Sequence, residues 1–288
     1  MYTILKNFQT RLIRFENTHT QRILNKPRII RAGYEFLRFG ILQAWICLFG
    51  GIMCALLIAT HYFYPVESSL HRYDFLTVCA LIIQIMLIWS KLETWDEAKI
   101  IFIFHIVGTV MEIYKTYHGS WIYPHPAFLK IGGVPLFTGF MYAAVGSYIF
   151  RAWKVMDFQF SYHPPKWAYA LLSLAIYVNF FTNHYFYDVR YLLFAASVLL
   201  IGRSWIYYKI WIKYRRMPML LAGFLTAFFI YIAENIGTYS QAWAYPNQID
   251  GWKWVSLGKL GSWYLLIILS YCLTLIVKDI KIFEIQRR

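Results

Sequence analysis

The chain has 288 residues, of which 59% are hydrophobic, 20% aromatic and only 15% charged, with a formal net charge of +14. This composition excludes an ordinary soluble domain, and the charge does not indicate a nucleic-acid partner, because the basic residues lie between apolar segments. Apolar runs of about 18 or more residues, the helix length that crosses about 30 Å of hydrocarbon, recur along the chain. We therefore predict an all-α polytopic membrane protein in contact with the lipid bilayer.

Residues 1–40 are predicted to form a basic cytoplasmic segment. No short apolar core with a small-residue cleavage site follows the first charges, so we expect no cleavable signal peptide. Ile4, Phe8, Leu12 and Phe15 recur at helical spacing, which is typical of an amphipathic helix on an anionic membrane surface. A solvated tail with the same charge bias is the alternative.

Eight transmembrane helices are predicted from the apolar runs. They lie near 41–63, 74–91, 99–117, 133–153, 167–186, 189–208, 217–239 and 258–278. With these spans, 22 of the 28 Lys and Arg residues fall on the side of the two termini. Because cytoplasmic loops carry the excess of basic residues, both termini are predicted to face the cytoplasm.

One segment of the sequence occurs twice. Glu112–Pro124 (EIYKTYHGSWIYP) aligns without a gap with Glu234–Pro246 (ENIGTYSQAWAYP) at an offset of 122, and six of the thirteen positions are identical. In each copy an apolar helix ends in a carboxylate, and an aromatic loop follows. A period this long indicates a single duplication rather than a solenoid.

The duplication predicts the organisation of the whole chain. We expect a first four-helix repeat at 41–153, a cytoplasmic linker at 154–166, a second four-helix repeat at 167–278 and a cytoplasmic tail at 279–288. Because four is an even number, the two repeats have the same orientation, and a pseudo-two-fold axis should run along the membrane normal. The matched motifs then all lie at the non-cytoplasmic face.

Several motifs resemble a known family. They are HRYDF (71–75), KLETWDEAKIIFIFHIVG (91–108), GVPLFTGFMYA (133–143), NFFTNHYFYDVR (179–190) and both copies of the duplicated segment. From about residue 35 onward, the chain resembles the bacterial integral-membrane family known as domain of unknown function 817, which includes YoaT-like proteins. The resemblance implies a protein of the bacterial inner (cytoplasmic) membrane. It indicates neither which activity the protein has nor whether it binds a cofactor.

Glu112 and Glu234 are the first candidate catalytic residues, since an ionisable residue late in an apolar helix usually faces the interior of the bundle. We predict that they are general acids or proton carriers. Structural caps that accept hydrogen bonds from the aromatic loops are the alternative. Lys115 is spaced to pair with Glu112, whereas Gly237 holds the equivalent position after Glu234, which makes Glu234 the stronger candidate.

Three histidines are further candidates. His105, two turns before Glu112 on the same helix face, is predicted to extend a proton path inward, with a core histidine as the alternative. His61 and His184 match, with the two glutamates, the ligand types of a zinc or non-haem iron site, although HExxH and ExxH motifs are absent. For both histidines, an interfacial aromatic belt is the alternative.

Six residues of the outer loops are predicted to bind a substrate: Trp121, Tyr123, Trp243, Tyr245, Asp188 and Arg190. Aromatic rings can stack on a ligand, and a guanidinium group can bind an anionic head group. Anchoring in the interfacial belt and a local staple within the loop are the alternatives for the rings and for the ion pair.

The concentration of Glu, His, Trp and Tyr at one face favours a membrane-embedded enzyme that acts on a lipid or isoprenoid. Its chemistry would begin with proton transfer from a glutamate, and aromatic rings would stabilise a cation. A small-solute or proton-coupled transporter is the alternative, because carboxylates lie between parallel repeats. A non-catalytic membrane scaffold is a further alternative. The ligand is predicted to be a lipid or another small molecule, and the sequence indicates neither its identity nor the oligomeric state.

Overall fold

The computed structural model describes residues 23–65, 67–90, 93, 95–276 and 278–283. The predicted amphipathic segment at the N-terminus lies outside the described residues. The elements are α1 (Arg28–Ile46), α2 (Leu48–Phe63), α3 (Arg72–Trp89), α4 (Trp95–Tyr117), β1 (Lys130–Ile131), β2 (Val134–Pro135), α5 (Phe137–Val155), β3 (Gln159–Ser161), α6 (Lys166–Thr182), α7 (Arg190–Ile201), β4 (Trp205–Lys209), β5 (Tyr214–Pro218), α8 (Met219–Tyr239) and α9 (Gly258–Leu275).

The described chain is mostly helical, and a helix lies at each of the eight predicted positions. By length and composition, three helices of the described part, α3, α8 and α9, can cross a membrane, and the bent pair α1–α2 adds a fourth if it forms one span. α4 carries charged residues at both ends, α6 has 17 residues and α7 has 12. By this criterion the eight-span prediction is confirmed only in part, and these helices indicate membrane association.

Two predicted boundaries are wrong. The first helix begins at Arg28 rather than near residue 41, and the chain bends by 72° where Cys47 separates α1 from α2. The predicted span 189–208 is helical only to Ile201. Gly202 and Arg203 follow that helix, and the aromatic and β-branched run WIYYK then forms strand β4.

The described chain also contains two small antiparallel sheets, which the all-α prediction does not include. β1 pairs with β2, and the second sheet has the order β3-β4-β5. An ion pair between Glu35 and Arg215 joins α1 to the second sheet, and Arg38 Nε donates to the carbonyl of Ile210 at 2.9 Å. Strand β3 of this sheet lies in the predicted linker 154–166, and strands β4 and β5 follow α7.

Among the helices, α4 packs on α5, and α8 packs on α9. In the first pair, a Cβ at Gly139 would lie 2.3 Å from Nδ1 of His105. A small residue at this position allows the close approach that is common where membrane helices pack.

The two aromatic loops are exchanged between the hydrophobic cores of the halves. Trp243, from the second copy of the duplicated segment, packs in a cluster with Phe49 and Met53 of the first half. Trp121, from the first copy, packs with Tyr231 and Val255 of the second half. The exchange brings the two loops face to face.

Candidate functional site

A cavity of about 1190 Å³ lies among the helices α1, α2 and α4–α9. Its lining is mostly apolar and aromatic, and it extends from Phe36 and Phe39 on α1 to the end of α4 and the starts of α7 and α9. A cavity of this size exceeds the usual range for small-molecule sites, which is about 300–1,000 Å³.

Most of the predicted site residues line this one cavity. They are Glu112, Glu234, Trp121, Tyr123, Trp243, Tyr245, His184, Asp188 and Arg190. Their convergence is what a ligand site requires, whereas residues that serve only as interfacial anchors would be distributed around the rim of the bundle.

Glu112 is buried and accepts three hydrogen bonds. Trp121 Nε1 donates to Oε2 at 2.7 Å, the hydroxyl of Tyr123 donates to the same oxygen, and the hydroxyl of Tyr142 donates to Oε1 at 2.6 Å. Because both oxygens are occupied by donors, Glu112 fixes the aromatic loop against α4 and α5.

Glu234 is buried in the same way but is less fully bonded. Trp243 Nε1 donates to Oε1 at 3.0 Å, and the hydroxyl of Tyr245 donates to that same oxygen. Tyr264 stands at the position equivalent to Tyr142, yet within the described part of the chain no group hydrogen-bonds Oε2 of Glu234. The second carboxylate therefore presents one free oxygen at the cavity.

The second aromatic loop folds tightly against α8. The indole of Trp243 lies over Gly237, where an added Cβ would be 2.1 Å from the ring atom Cη2. The amide of Ala242 donates to the carbonyl of Gly237 at 3.0 Å, and the equivalent bond in the first loop joins Ser120 to Lys115 at 2.9 Å. The glycine is thus required where the first copy has a lysine.

The two copies of the duplicated segment meet at equivalent positions. Ile122 and Ala244, which are 122 residues apart, exchange backbone hydrogen bonds of 2.9 and 3.0 Å. The rings of Trp121 and Tyr245 meet edge to face with centroids 6.0 Å apart, and Lys259 Nζ lies 4.4 Å from both centroids. Each of these rings belongs to a residue that donates to one of the glutamates, so the two carboxylates share one site.

A polar rim surrounds the end of α4. Lys115 does not bond Glu112; its Nζ lies 2.9 Å from Asn183 Oδ1 and 2.9 Å from His184 Nε2. The His184 ring stacks on His118 at 4.7 Å. Because an ammonium group can only donate, Nε2 of His184 accepts the hydrogen bond from Lys115.

An ion pair completes this rim. Asp188 pairs with Arg190 and accepts a hydrogen bond from Asn179 Nδ2 at 3.1 Å. Asp188, Arg190 and Asn179 all line the cavity. The ion pair that connects Asp188 to Arg190 therefore also forms part of the cavity wall.

Two predicted histidines lie elsewhere. The ring of His61 contacts Tyr62 and Tyr239, and the ring of His105 packs on Phe140 at 4.6 Å; neither histidine lines the cavity. Among the residues that the structure describes, no group of three or more His, Cys, Asp or Glu side chains could hold a metal ion.

Sequence reasoning missed Tyr142 and Lys259 as parts of the site. Tyr142 matches Tyr264 at the offset of 122, so the duplication itself contained a signal for it. No pattern in the sequence marks Lys259, because its place in the site depends on contacts with the rings of Trp121 and Tyr245, which come from different loops.

The acidic residue Glu93 is buried. It lies between α3 and α4, and its exposed fraction is 3%. Gln84 Nε2 and Ser147 Oγ donate to its carboxylate, and Arg151 Nη1 lies 3.9 Å from it. Neighbouring helices α3 and α5 bury this charge, which local sequence does not reveal.

Comparisons with known proteins agree with the resemblance seen in the sequence. A family model described as "Protein of unknown function (DUF817)" matches residues 35–271. The chain is 41% identical over 252 residues to the "Uncharacterized protein YoaT" of Bacillus subtilis (strain 168), covering 88% of this chain and 95% of that protein. No solved structure matches the chain.

Proposed function

We propose that this chain, which belongs to the DUF817 family of proteins of unknown function, is a membrane-embedded enzyme. Its substrate is a lipid or isoprenoid held in the large cavity, and Glu234 is the general acid and base. The free Oε2 of Glu234 is the single observation that carries this proposal.

The hydrogen bonds of Glu234 suit proton transfer. A Trp N–H can only donate, so Oε1 stays an acceptor and the exchangeable proton belongs on Oε2. When Oε2 gives this proton to a double bond or an oxygen of the substrate, Trp243 and Tyr245 stabilise the carboxylate that forms. The same oxygen then takes a proton back from the intermediate, which closes the cycle.

The neighbouring rings support a cationic intermediate. Trp121 and Tyr245 already hold an ammonium group, that of Lys259, at 4.4 Å from their centroids. Ring faces that attract one cation can stabilise another that develops on the substrate. The apolar walls beyond them exclude water, which would otherwise quench it.

The inner-membrane location, with both termini in the cytoplasm, and the eight-span 4+4 repeat are part of this proposal. The basic-residue bias supports the orientation, and the contact between Ile122 and Ala244 supports a two-fold relation of the halves. In this arrangement the glutamates lie toward the non-cytoplasmic face.

The test compares cells that lack the gene with cells that carry variants of it. We expect Glu234→Gln to leave the lipid and pigment profile of the deletion uncorrected, because the amide cannot transfer the proton; the loss of rate should be about 10²-fold or more. Glu67→Gln, an exposed residue outside the cavity, is the matched control and should restore the profile. Full restoration by a stably inserted Glu234→Gln protein would refute the proposal.

A transporter is the second candidate, because the cavity extends from α1 to the starts of α7 and α9. Phe39→Cys and Ser256→Cys, each in a chain freed of its native cysteines, place a thiol at either end. Protection of both thiols by one solute would favour transport. Accessibility confined to one face of the membrane would favour the enzyme.

A further inference from the structure

We infer that the substrate carries a phosphate head group, bound by Lys115, Arg190 and Lys259 at one end of the cavity. This inference rests on the proposed function and names its substrate class: an isoprenoid or acyl chain that ends in a phosphate. The phosphate lies at the cationic end, and the chain extends along the apolar walls toward α1.

Lys115 is a buried cation with only neutral partners. Its exposed fraction is 5%, and its Nζ contacts the amide oxygen of Asn183 and the ring nitrogen of His184. Among the described residues no carboxylate lies within ion-pair distance of it. Burial of an ammonium group is costly unless an anion compensates it, so the group is poised to receive one.

Lys259 and Arg190 approach from two other helices. A Cβ at Gly258 would lie 4.0 Å from Nη1 of Arg190, so the guanidinium group lies beside the start of α9, next to Lys259. Arg190 and Gly258 begin α7 and α9, and the positive ends of these two helix dipoles add to the attraction for an anion.

Among the described residues, no carboxylate forms an ion pair with Lys115 or Lys259. Glu112 and Glu234 receive their hydrogen bonds from neutral indole and phenol groups. Asp188 pairs with Arg190 alone, which leaves the two ammonium groups of Lys115 and Lys259 for the ligand. Nε and Nη2 of Arg190 contact Asp188, and its Nη1 joins the two ammonium groups in matching the charge and the donor requirements of a phosphate.

The test measures the binding of matched probes to the purified full chain in detergent, by the shift in its thermal unfolding. Geranylgeranyl phosphate and geranylgeraniol share one chain and differ only in the phosphate, and inorganic phosphate supplies the anion without a chain. We expect the phosphorylated probe to stabilise the protein at concentrations at least about tenfold lower than the alcohol requires.

The variants assign the effect to the cations. Lys259→Gln, which is only partly buried, and Lys115→Gln should each abolish the preference for the phosphorylated probe. Lys253→Gln, an exposed lysine outside the cavity, should keep it. If Lys115→Gln fails to fold, Lys259→Gln and Arg190→Lys carry the test.

Three outcomes would overturn the inference. Equal binding of the alcohol and the phosphorylated probe would remove the head-group site but leave the lipid enzyme in place. Binding of inorganic phosphate as strong as that of the phosphorylated probe would assign the site to a free anion. No binding of any probe would overturn both the head group and the lipid-binding cavity, whereas a failure of the catalytic proposal alone would appear only with Glu234→Gln.

Discussion

At the scale of single residues, the two glutamates of the duplicated segment have diverged in their bonding. Glu112 has donors on both oxygens, and Glu234 has both donors on one. The difference comes from Tyr142, whose equivalent, Tyr264, does not reach Glu234. In the proposed enzyme, Glu112 therefore holds the fold and Glu234 is the group that reacts.

Tyr142→Phe tests this division. The change leaves Oε1 of a buried carboxylate without its donor, so the free energy of unfolding should fall by about 1–3 kcal/mol. Thermal unfolding of the purified protein in detergent measures it. Tyr264→Phe is the matched control, since it removes a hydroxyl that binds neither glutamate. Equal losses for the two variants would contradict the asymmetry.

The ion pair at the start of α7 predicts a dependence on pH. Burial opposes ionisation of Asp188, but hydrogen bonds from Arg190 and Asn179 outweigh it and hold the pKa of Asp188 below its ordinary value of 3.8. A carboxylate with a lowered folded pKa contributes stability that is complete above the unfolded pKa and is lost as the pH falls through the folded pKa. The Tm should therefore decline below about pH 4.

Asp188→Asn should flatten that decline, as measured by thermal unfolding between pH 7 and pH 3. Asp250→Asn, in an exposed loop, is the control and should leave the decline unchanged. A wild-type decline that survives in Asp188→Asn would assign the acid sensitivity to other groups.

Residues that line the cavity could be predicted where the duplication repeats them. Glu234, Trp243 and Tyr245 have counterparts at the offset of 122, and all of them line the cavity. The partner of Lys115 could not be predicted, because helical spacing suggests Glu112 while the fold turns its side chain toward Asn183. Local spacing does not determine which neighbour a long side chain reaches.

At the scale of elements, the apolar runs predict the helices but not where they stop. The run at 189–208 is mostly apolar, yet only its first part is helical, because β4 pairs with β3 and β5. Pairing between distant strands has no trace in a hydropathy pattern. The bend at Cys47 is similar, since no proline marks it.

The buried charge between α3 and α5 gives a prediction at this scale. Glu93→Gln removes the anion that pairs with Arg151 in the described part of the chain, which should cost about 3–5 kcal/mol of unfolding free energy because the guanidinium group is buried. The double variant Glu93→Gln with Arg151→Met removes both charges and should recover much of that loss. Chemical unfolding in detergent measures both proteins. A double variant no more stable than the single one would contradict a direct pairing.

At the scale of the whole molecule, the exchange of aromatic loops explains why the site lies between the halves. Each tryptophan packs in the core of the other half while its N–H bonds the glutamate of its own copy. Neither half can thus complete its core alone, and the cavity forms where the two meet. The sequence predicts the duplication, but this exchange depends on tertiary packing.

The central claim is that Glu234 presents a reactive oxygen to the cavity and Glu112 does not. The most direct measurement is labelling by an apolar carbodiimide, which must reach a carboxyl oxygen from the cavity to modify it, followed by mass spectrometry of the modified peptides. We expect the label at Glu234 with little at Glu112, and we expect Glu234→Gln to abolish it. Equal labelling of both glutamates, or labelling of Glu112 alone, would contradict the claim.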